Sequence, residues 1–233
     1  MITVGIAGSQ GKMGSALQAL LKKDDFPNLK YGISFDKNAP LSLSSAQTID
    51  VLIDFTEPKA TMSFLPILKE LKKALVIGTT GFSEEEKNEI QKLSQTLPIV
   101  LSPNMSIGIN VLFDLVQRAT KLLPVEFSSH ILEIHHTHKK DSPSGTAKKL
   151  KEEILRASSA QDDPVIPIES IRGGDVIGEH TVFFLSAGER LELTHRATSR
   201  DIFARGALKA AEWLVHQKPG LYSMQDVLEG FSK

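Results

Sequence analysis

The 233-residue sequence contains no cysteine. That removes disulfides, thiolate zinc sites and cysteine nucleophiles together, and it leaves thiol usage silent about the redox compartment. Neither sign of charge is in excess. With 28 acidic and 27 basic residues and a pI near 6.7, there is no global field to hold a nucleic-acid backbone or an anionic membrane surface. No apolar stretch approaches the roughly 20 residues needed to span a bilayer. No basic n-region or long h-region precedes the first apolar run, so no secretory signal is read and a cytoplasmic protein is expected. Internal repeats and long low-complexity tracts are absent too.

The length exceeds one ordinary domain and falls short of two full-sized ones, which points to a large domain with a smaller partner. Val4-Gly5-Ile6-Ala7 is a short apolar run ending in glycine turns, and Met13 to Leu21 places its apolar residues at helical spacing, so the chain opens as strand, tight turn, helix. Tyr31 to Phe35, Val51 to Phe55, Leu75 to Ile77 and Ile99 to Leu101 are further apolar runs, with Lys59 to Leu71 and Glu84 to Leu93 suited to crossover helices. The pattern predicts a doubly wound parallel α/β sheet over about the first 105 residues. After Asn104 the texture changes. A helix from about Ile109 to Leu123, a strand within Phe127 to His136 and a helix from about Thr146 to Ala157 come first. Short strands at Ile166 to Arg172, His180 to Leu185 and Leu191 to Ala197 follow, so that half reads as an α+β domain carrying an open mixed sheet. A final helix, Ile202 to His216, sets Phe203, Ala207, Ala210 and Leu214 on one face expected to pack back on the first domain. The expected division is 1–106 with 200–233, and 107–199. Asn38 to Gln47 and Ser158 to Pro164 are the best candidates for mobile loops. An open sheet leaves a face and an edge to cover, which motivates a homo-oligomer.

Gly8, Gly11 and Gly14 lie between the first strand and first helix, where missing side chains let the backbone turn sharply and approach a pyrophosphate at a positive helix end. The spacing is G-x-x-G-x-x-G, with Gln10 where the general dinucleotide fingerprint has its second glycine, and a glycine turn in an ordinary βα unit would look similar. Asp36 follows the second strand by the interval at which a carboxylate meets an adenosine ribose. Lys12 and Lys37 could pair with a 2′-phosphate there, although an Asp after a strand is commonly a turn former and a lone lysine a solvated charge. Both NADH and NADPH are therefore expected to serve. Asp54-Phe55-Thr56, Gly78-Thr79-Thr80-Gly81 and Ser102-Pro103-Asn104-Met105 each follow a strand, at the sheet edge where ligands bind and where loop capping is also common.

Glu133 to Thr146 is the densest polar segment and holds three of the seven histidines. If Ile131 to His136 is a strand, His135 shares a face with Glu133 while His136 points away. A metal site could be built from His-His-x-His and an aspartate, but Lys139 and Lys140 would repel a dication and the alternation splits the first two ligands, so none is expected. Surface histidines on a polar strand end are a further possibility. The favoured reading is proton chemistry: His135 exchanges a proton near neutral pH, and the Lys139 ammonium holds a carboxylate or donates a proton as hydride reaches a conjugated imine. Pro143-Ser144-Gly145-Thr146 then opens a helix whose first-turn amides and Thr146 hydroxyl suit a carboxylate, with capping by Ser142 or Ser144 as the plainer account.

With these residues in view the chain resembles the dihydrodipicolinate reductases of bacterial and plant lysine and diaminopimelate synthesis, over nearly its full length. The resemblance rests on Gly8 to Gly14, Asp54-Phe55-Thr56, Gly78 to Phe82, Asn104 with Ser106 to Val111, and above all Glu133 to His136 through Lys139 to Asp141-Ser142-Pro143-Ser144-Gly145-Thr146-Ala147. Gly178-Glu179-His180-Thr181 and His195 to Arg200 also fit. It implies a Rossmann-like first domain completed by the C-terminal helix, and a second whose open sheets pair in a homotetramer. His135 would be the proton donor or acceptor, Lys139 the second donor, and His136, Gly145 and Thr146 the holders of a small dicarboxylate substrate. Gly8, Ser9, Gln10, Gly11, Lys12, Met13, Asp36, Lys37, Gly78, Thr79, Thr80, Ser102, Pro103, Asn104 and Met105 would line the NADH or NADPH cleft. Gln10, Thr137 and Lys140 depart from the commoner family pattern. A semialdehyde dehydrogenase is excluded because it needs a cysteine nucleophile. A dinucleotide-binding sensor without catalysis, which would have no use for the His135 to Thr146 cluster, is the alternative from another class.

Overall fold

A computed structural model of the chain describes residues 1–23, 25–158 and 165–231. The elements run β1 (Ile2–Ala7), α1 (Lys12–Leu21), β2 (Leu29–Phe35), α2 (Leu43–Ala46), β3 (Val51–Asp54), α3 (Pro58–Leu71), β4 (Ala74–Ile77), α4 (Glu84–Leu93) and β5 (Pro98–Leu101). Then come α5 (Ile107–Leu122), β6 (Ser128–His135), α6 (Gly145–Ala157), β7 (Ile168–Arg172), β8 (Gly178–Ser186) and β9 (Glu189–Ala197). The chain closes with α7 (Asp201–Leu214), β10 (Gly220–Tyr222) and α8 (Met224–Phe231). Two compact units emerge, residues 1–107 with 201–233, and residues 108–200. Among the described residues no helix is long and apolar enough to cross a membrane.

The first unit is a six-stranded parallel sheet in the order β10-β5-β4-β3-β1-β2. β3 and β4 are buried at all four positions, as parallel strands covered on both faces must be. Two apolar clusters cover those faces, one joining α1, α7 and α8 to the sheet and the other joining α2, α3 and α4. Strand order reverses between β1 and β3, so the chain ends leaving those two strands splay into a crevice.

Two sequence expectations need correction here. The helix expected to be the last is followed by β10 and α8, and β10 adds the sixth strand beside β5. Three residues of Gly-Leu-Tyr are too short a run to announce a strand; pairing with β5 makes them one. The expected loop Asn38 to Gln47 contains α2, whose Ser42 and Ser45 cap each other's ends reciprocally. Of the other expected loop, residues 159–164 lie outside the described residues.

The buried stripe of α7 runs through Ala204, Ala207, Leu208, Ala211 and Leu214, while Phe203 is only half-buried. Small residues let this helix approach the backbone closely. A Cβ at Gly206 would lie 1.7 Å from the Met105 carbonyl oxygen, a position no side chain can share.

The second unit has a mixed sheet, β7-β6-β8-β9, with β6 and β7 parallel and the other pairs antiparallel. One face lies under α5 and α6, where Ile109, Phe113, Val116, Leu150 and Ile154 pack on Ile131, Val182 and Phe184. The opposite face carries Leu132, Ile134, Ile171, Phe183 and Leu185, with Ile171 48% exposed.

Gly206→Ala tests the α7 packing. Alanine favours an isolated helix by about 1 kcal/mol, yet the overlap with Met105 should outweigh that and destabilise the protein by about 1–3 kcal/mol. The measurement is the urea midpoint of the variant against the parent; an equal or higher midpoint would refute the close approach.

Candidate functional site

In the first unit the expected cofactor residues follow the carboxyl ends of strands, with Lys12 and Met13 in the first turn of α1. Gly8 follows β1 with φ 76°, a left-handed conformation that suits glycine, and a Cβ there would press to 2.9 Å on Thr56 Cγ2. A Cβ at Gly14 would lie 2.4 Å from the Gly8 carbonyl oxygen, so helix and turn meet only because residue 14 has no side chain. Gly11 is the N-cap of α1 and offers no side-chain cap, and the first turn carries no acidic residue. An uncapped helix start behind a glycine cradle is what a pyrophosphate requires. Beside it a pocket of ≈ 410 Å³ is lined by Gly8, Gly11, Asp36, Lys37, Thr56 and Phe64, among others. The residues present fit a dinucleotide.

Asp36 is held as well as placed. Its Oδ1 accepts from the amides of Asn38 at 2.8 Å and Ala39 at 3.1 Å, and its Oδ2 accepts from Gln10 Nε2 at 2.9 Å. Gln10, which departs from the usual fingerprint, therefore braces the carboxylate expected to meet the ribose. Lys12 and Lys37 are exposed. The Thr79 hydroxyl is spent inside the protein: it donates to Asp54 Oδ2 at 3.2 Å and accepts the Thr56 amide at 2.9 Å. Asp54 also takes the Thr56 amide at 3.0 Å and the Thr61 hydroxyl, so it knots the loops after β3 and β4 to the start of α3. Burial pushes its carboxyl up, against the lowering effect of those threonines. Ser102 and Asn104 bond to each other, and Asn104 Oδ1 accepts the Ser106 amide at 3.0 Å. The Met105 side chain lies in the core, which leaves only its backbone for a ligand.

In the second unit sheet register assembles the site. Counted along β6, Ile131, Glu133 and His135 point under the helices. Their partners across the sheet do the same: Glu133 lies between Ser170 of β7 and His180 of β8, His180 pairs with His195 of β9, and His135 pairs with Arg172 of β7. One face thus gathers a carboxylate, three imidazoles and a guanidinium. Gly178 makes room for it, since a Cβ there would lie 3.0 Å from His135 Nε2.

Glu133 is fully buried. Its Oε1 accepts from Arg172 Nη2 at 2.8 Å and from the Ser144 amide at 3.2 Å, and its Oε2 is paired with His135 Nδ1. Burial alone would raise its pKa; Arg172, Ser170, His135 and Ser144 outweigh burial and hold the carboxyl at about 2. Burial lowers His135, Glu133 opposes that, and Lys139 and Arg172 lower it further, so a neutral imidazole is the resting form. Lys139 Nζ pairs with Asp141 Oδ1 at 2.9 Å. Ser144 caps α6 by accepting the Ala147 amide at 3.1 Å, and its hydroxyl is also 3.2 Å from His180 Nε2. The helix start at Gly145 has no acid in its first turn, which suits an anion. His136 leaves the strand beyond His135, and its ring lies 6.2 Å from that of His138.

Glu133, His135 and His180 bring donor atoms within 4.8 Å of one another, which raises the question of a metal. The charges argue against it: Glu133 Oε1 is held by Arg172, and Arg172 and Lys139 stand where a dication would be repelled. Sequence reasoning gave no role to Glu133, Arg172 or His180, and it offered Ser144 only as a helix cap, which it is. His180 and Arg172 are distant in sequence, and the only sign of the former was the Gly178-Glu179-His180-Thr181 match.

Burial pushes His180 down to about 3, with His135, His195 and Lys139 lowering it further and Glu133 opposing. Unfolded, the same imidazole takes a proton near pH 6.5, so from there down to about 3 the unfolded state binds more protons and stability falls as pH falls. Glu133 adds its own loss mainly below about 4.5, where the unfolded carboxyl is half protonated. Between pH 6.5 and 5, His180→Gln should flatten the fall by up to one proton's worth, about 1.4 kcal/mol per pH unit. Urea midpoints measured across that interval check it; parallel curves would count against a buried neutral imidazole.

Comparison with known proteins now adds to the geometry. The family model described as dihydrodipicolinate reductase, N-terminus, matches residues 2–105, and that described as dihydrodipicolinate reductase, C-terminus, matches residues 108–228. A 4-hydroxy-tetrahydrodipicolinate reductase of Syntrophus aciditrophicus (strain SB) is 40% identical over 267 aligned positions, covering 98% of each chain. Its namesake from Geobacter sulfurreducens (strain ATCC 51573 / DSM 12127 / PCA) is 43% identical over 216, covering 86% of this chain and 79% of that one. A dipicolinate-bound dihydrodipicolinate reductase from Paenisporosarcina sp. TG-14 shares the fold, with a TM-score of 0.82 at 24% identity over 96% of this chain and 97% of that one. The two halves, their order and their near-complete coverage agree, and the chain belongs to the dihydrodipicolinate reductase family.

Proposed function

We propose that this chain reduces 4-hydroxy-tetrahydrodipicolinate, by way of dihydrodipicolinate, to tetrahydrodipicolinate in lysine and diaminopimelate synthesis. Overall the substrate, NAD(P)H and one proton give tetrahydrodipicolinate, NAD(P)+ and water. The observation that carries the reading is the buried imidazole of His135, paired with an ionised carboxylate and followed four residues later by Lys139, next to an uncharged helix start. When bound, the nicotinamide supplies the hydride. Everything else falls to side chains.

A neutral His135 with Nδ1 on Glu133 keeps Nε2 for proton exchange with the substrate or a water. Lys139 is the second proton donor, and its ammonium also attracts a carboxylate. His136, Gly145 and Thr146 hold the substrate's carboxylates at the start of α6. In the first unit, Gly8 to Met13 receive the pyrophosphate, Asp36 and Lys37 the adenosine ribose, and Gly78 to Thr80 with Ser102 to Met105 the remainder of NADH or NADPH. The cytoplasm is the compartment we assign to this reaction.

The open face of the second sheet, with Leu132, Ile134, Ile171, Phe183 and Leu185, supports a homotetramer in which that face is covered by other copies. A solution mass near four copies of 25.5 kDa is expected by light scattering, and a monomer would refute it.

Two kinetic outcomes test the activity. With substrate generated in place from pyruvate and aspartate semialdehyde by the preceding synthase, nicotinamide absorbance should fall, and NADH and NADPH should give comparable kcat/KM. A strong preference for either would overturn the reading of Asp36 beside two lysines. His135→Gln and Lys139→Ala should each lower kcat by roughly 100-fold or more; a double variant near the parent rate would defeat their assignment, and cofactor binding with no turnover by the parent would favour a sensor.

A further inference from the structure

Arg172 has no part in the chemistry just described, yet one of its nitrogens touches the partners of both residues that do. Nη2 donates to Glu133 Oε1 at 2.8 Å and to the Asp141 carbonyl oxygen at 2.6 Å. Glu133 is the carboxylate paired with His135, and Asp141 is the residue whose side chain holds Lys139. We propose that Arg172 and Glu133 are positioning residues for this reaction, the guanidinium Nη2 fixing both the carboxylate that orients His135 and the loop that presents Lys139. The inference rests on the roles proposed above for His135 and Lys139.

Geometry leaves Glu133 little freedom. Arg172 and the Ser144 amide occupy Oε1, so Oε2 is directed at His135 Nδ1, and turning the carboxylate would break three contacts at once. Pinning Nδ1 selects the tautomer and leaves Nε2 as the exchanging atom, the same division of labour that an orienting carboxylate gives a catalytic histidine elsewhere. The backbone around this relay is held separately, by the Gly173 amide on the His135 carbonyl at 2.9 Å and the Thr137 amide on the Gly174 carbonyl at 3.2 Å. Removing the Arg172 side chain therefore leaves the strand pair in register and frees the two side chains. Lysine is a poorer substitute, because its flexible stem does not hold an ammonium rigidly at the point where Nη2 meets both acceptors.

Arg172→Ala should lower kcat by about 100-fold while KM for NADH and NADPH stays at the parent value. Guanidinium chloride at low, non-denaturing concentration should restore about tenfold or more of the lost rate, and Arg172→Lys should fall between parent and alanine variant. The groups facing His135 are Glu133 on its own strand, Arg172 of β7, His180 of β8 and Lys139 of the following loop. Loss of the guanidinium removes a positive neighbour, so the limb of the kcat–pH profile set by His135 should move to higher pH. In a His135→Gln background, Arg172→Ala should cost clearly less than in the parent, because only the hold on the Lys139 loop is left to lose. A kcat for Arg172→Ala within about twofold of the parent, with an unmoved pH limb, overturns the inference. So does a loss that guanidinium does not rescue and that adds in full to His135→Gln, since a merely structural ion pair would behave that way. Parent-like turnover by His135→Gln alone overturns the assignment of His135, and this inference with it, in an experiment that involves no Arg172 variant.

Discussion

Glu133 carries a negative charge with none of its surface exposed, and much of the second unit is arranged to make that charge tolerable. An isolated carboxylate in such a place would take up a proton, because desolvation disfavours the charged form. Here a guanidinium, a backbone amide and an imidazole supply what water would have supplied. Each of those partners is drawn from a different element. Arg172 ends β7, Ser144 caps α6, and His135 closes β6, so satisfying one carboxylate fixes the mutual placement of three segments. Buried ion pairs of this kind are weak contributors to net stability and strong constraints on geometry. That is the role the reaction needs.

The first unit has its own buried carboxylate, Asp54, and the contrast is instructive. Its partners are hydroxyls and an amide with no cation among them, and burial leaves its pKa raised where Glu133 is brought down to about 2. Hydroxyl donors can accept either protonation state with small adjustments, whereas a guanidinium insists on the anion. Asp54 accordingly ties loop ends together around the crevice at the strand reversal, whereas Glu133 faces a guanidinium and an imidazole.

Most of this fold was legible in the residues. Apolar runs between glycine turns marked β1 to β5, and the run Ser83-Glu84-Glu85-Glu86 shows why α4 began where expected: a serine cap and a glutamate three residues on close the box that starts a helix. What escaped was structure held by partners instead of by local pattern. α2 is one turn long, β10 has three residues, and neither has the length over which periodicity can be read. The site divides along the same line. His135 and Lys139 could be singled out because they lie four residues apart in one polar segment, and alternation correctly put Glu133 on the face of His135. Met105 could be counted as a cleft residue only by its place after a strand, and its side chain in fact fills the core.

Arg172 and His180 were out of reach for a deeper reason: their positions depend on register. Side chains along a strand alternate, so sliding β7 by one residue against β6 would carry Arg172 to the open face and bring Ile171, now outward, beneath the helices. Nothing within the segment Ile-Glu-Ser-Ile-Arg decides between those outcomes. The decision is made by Ile168 packing beside Ile131 at one end of the pair, and by the Glu133 charge, which in the slipped register would be buried without a cation. The Glu133–Arg172 pair thus reinforces a register that backbone bonds and Ile168 packing already hold, and that register delivers the guanidinium to the loop of Lys139.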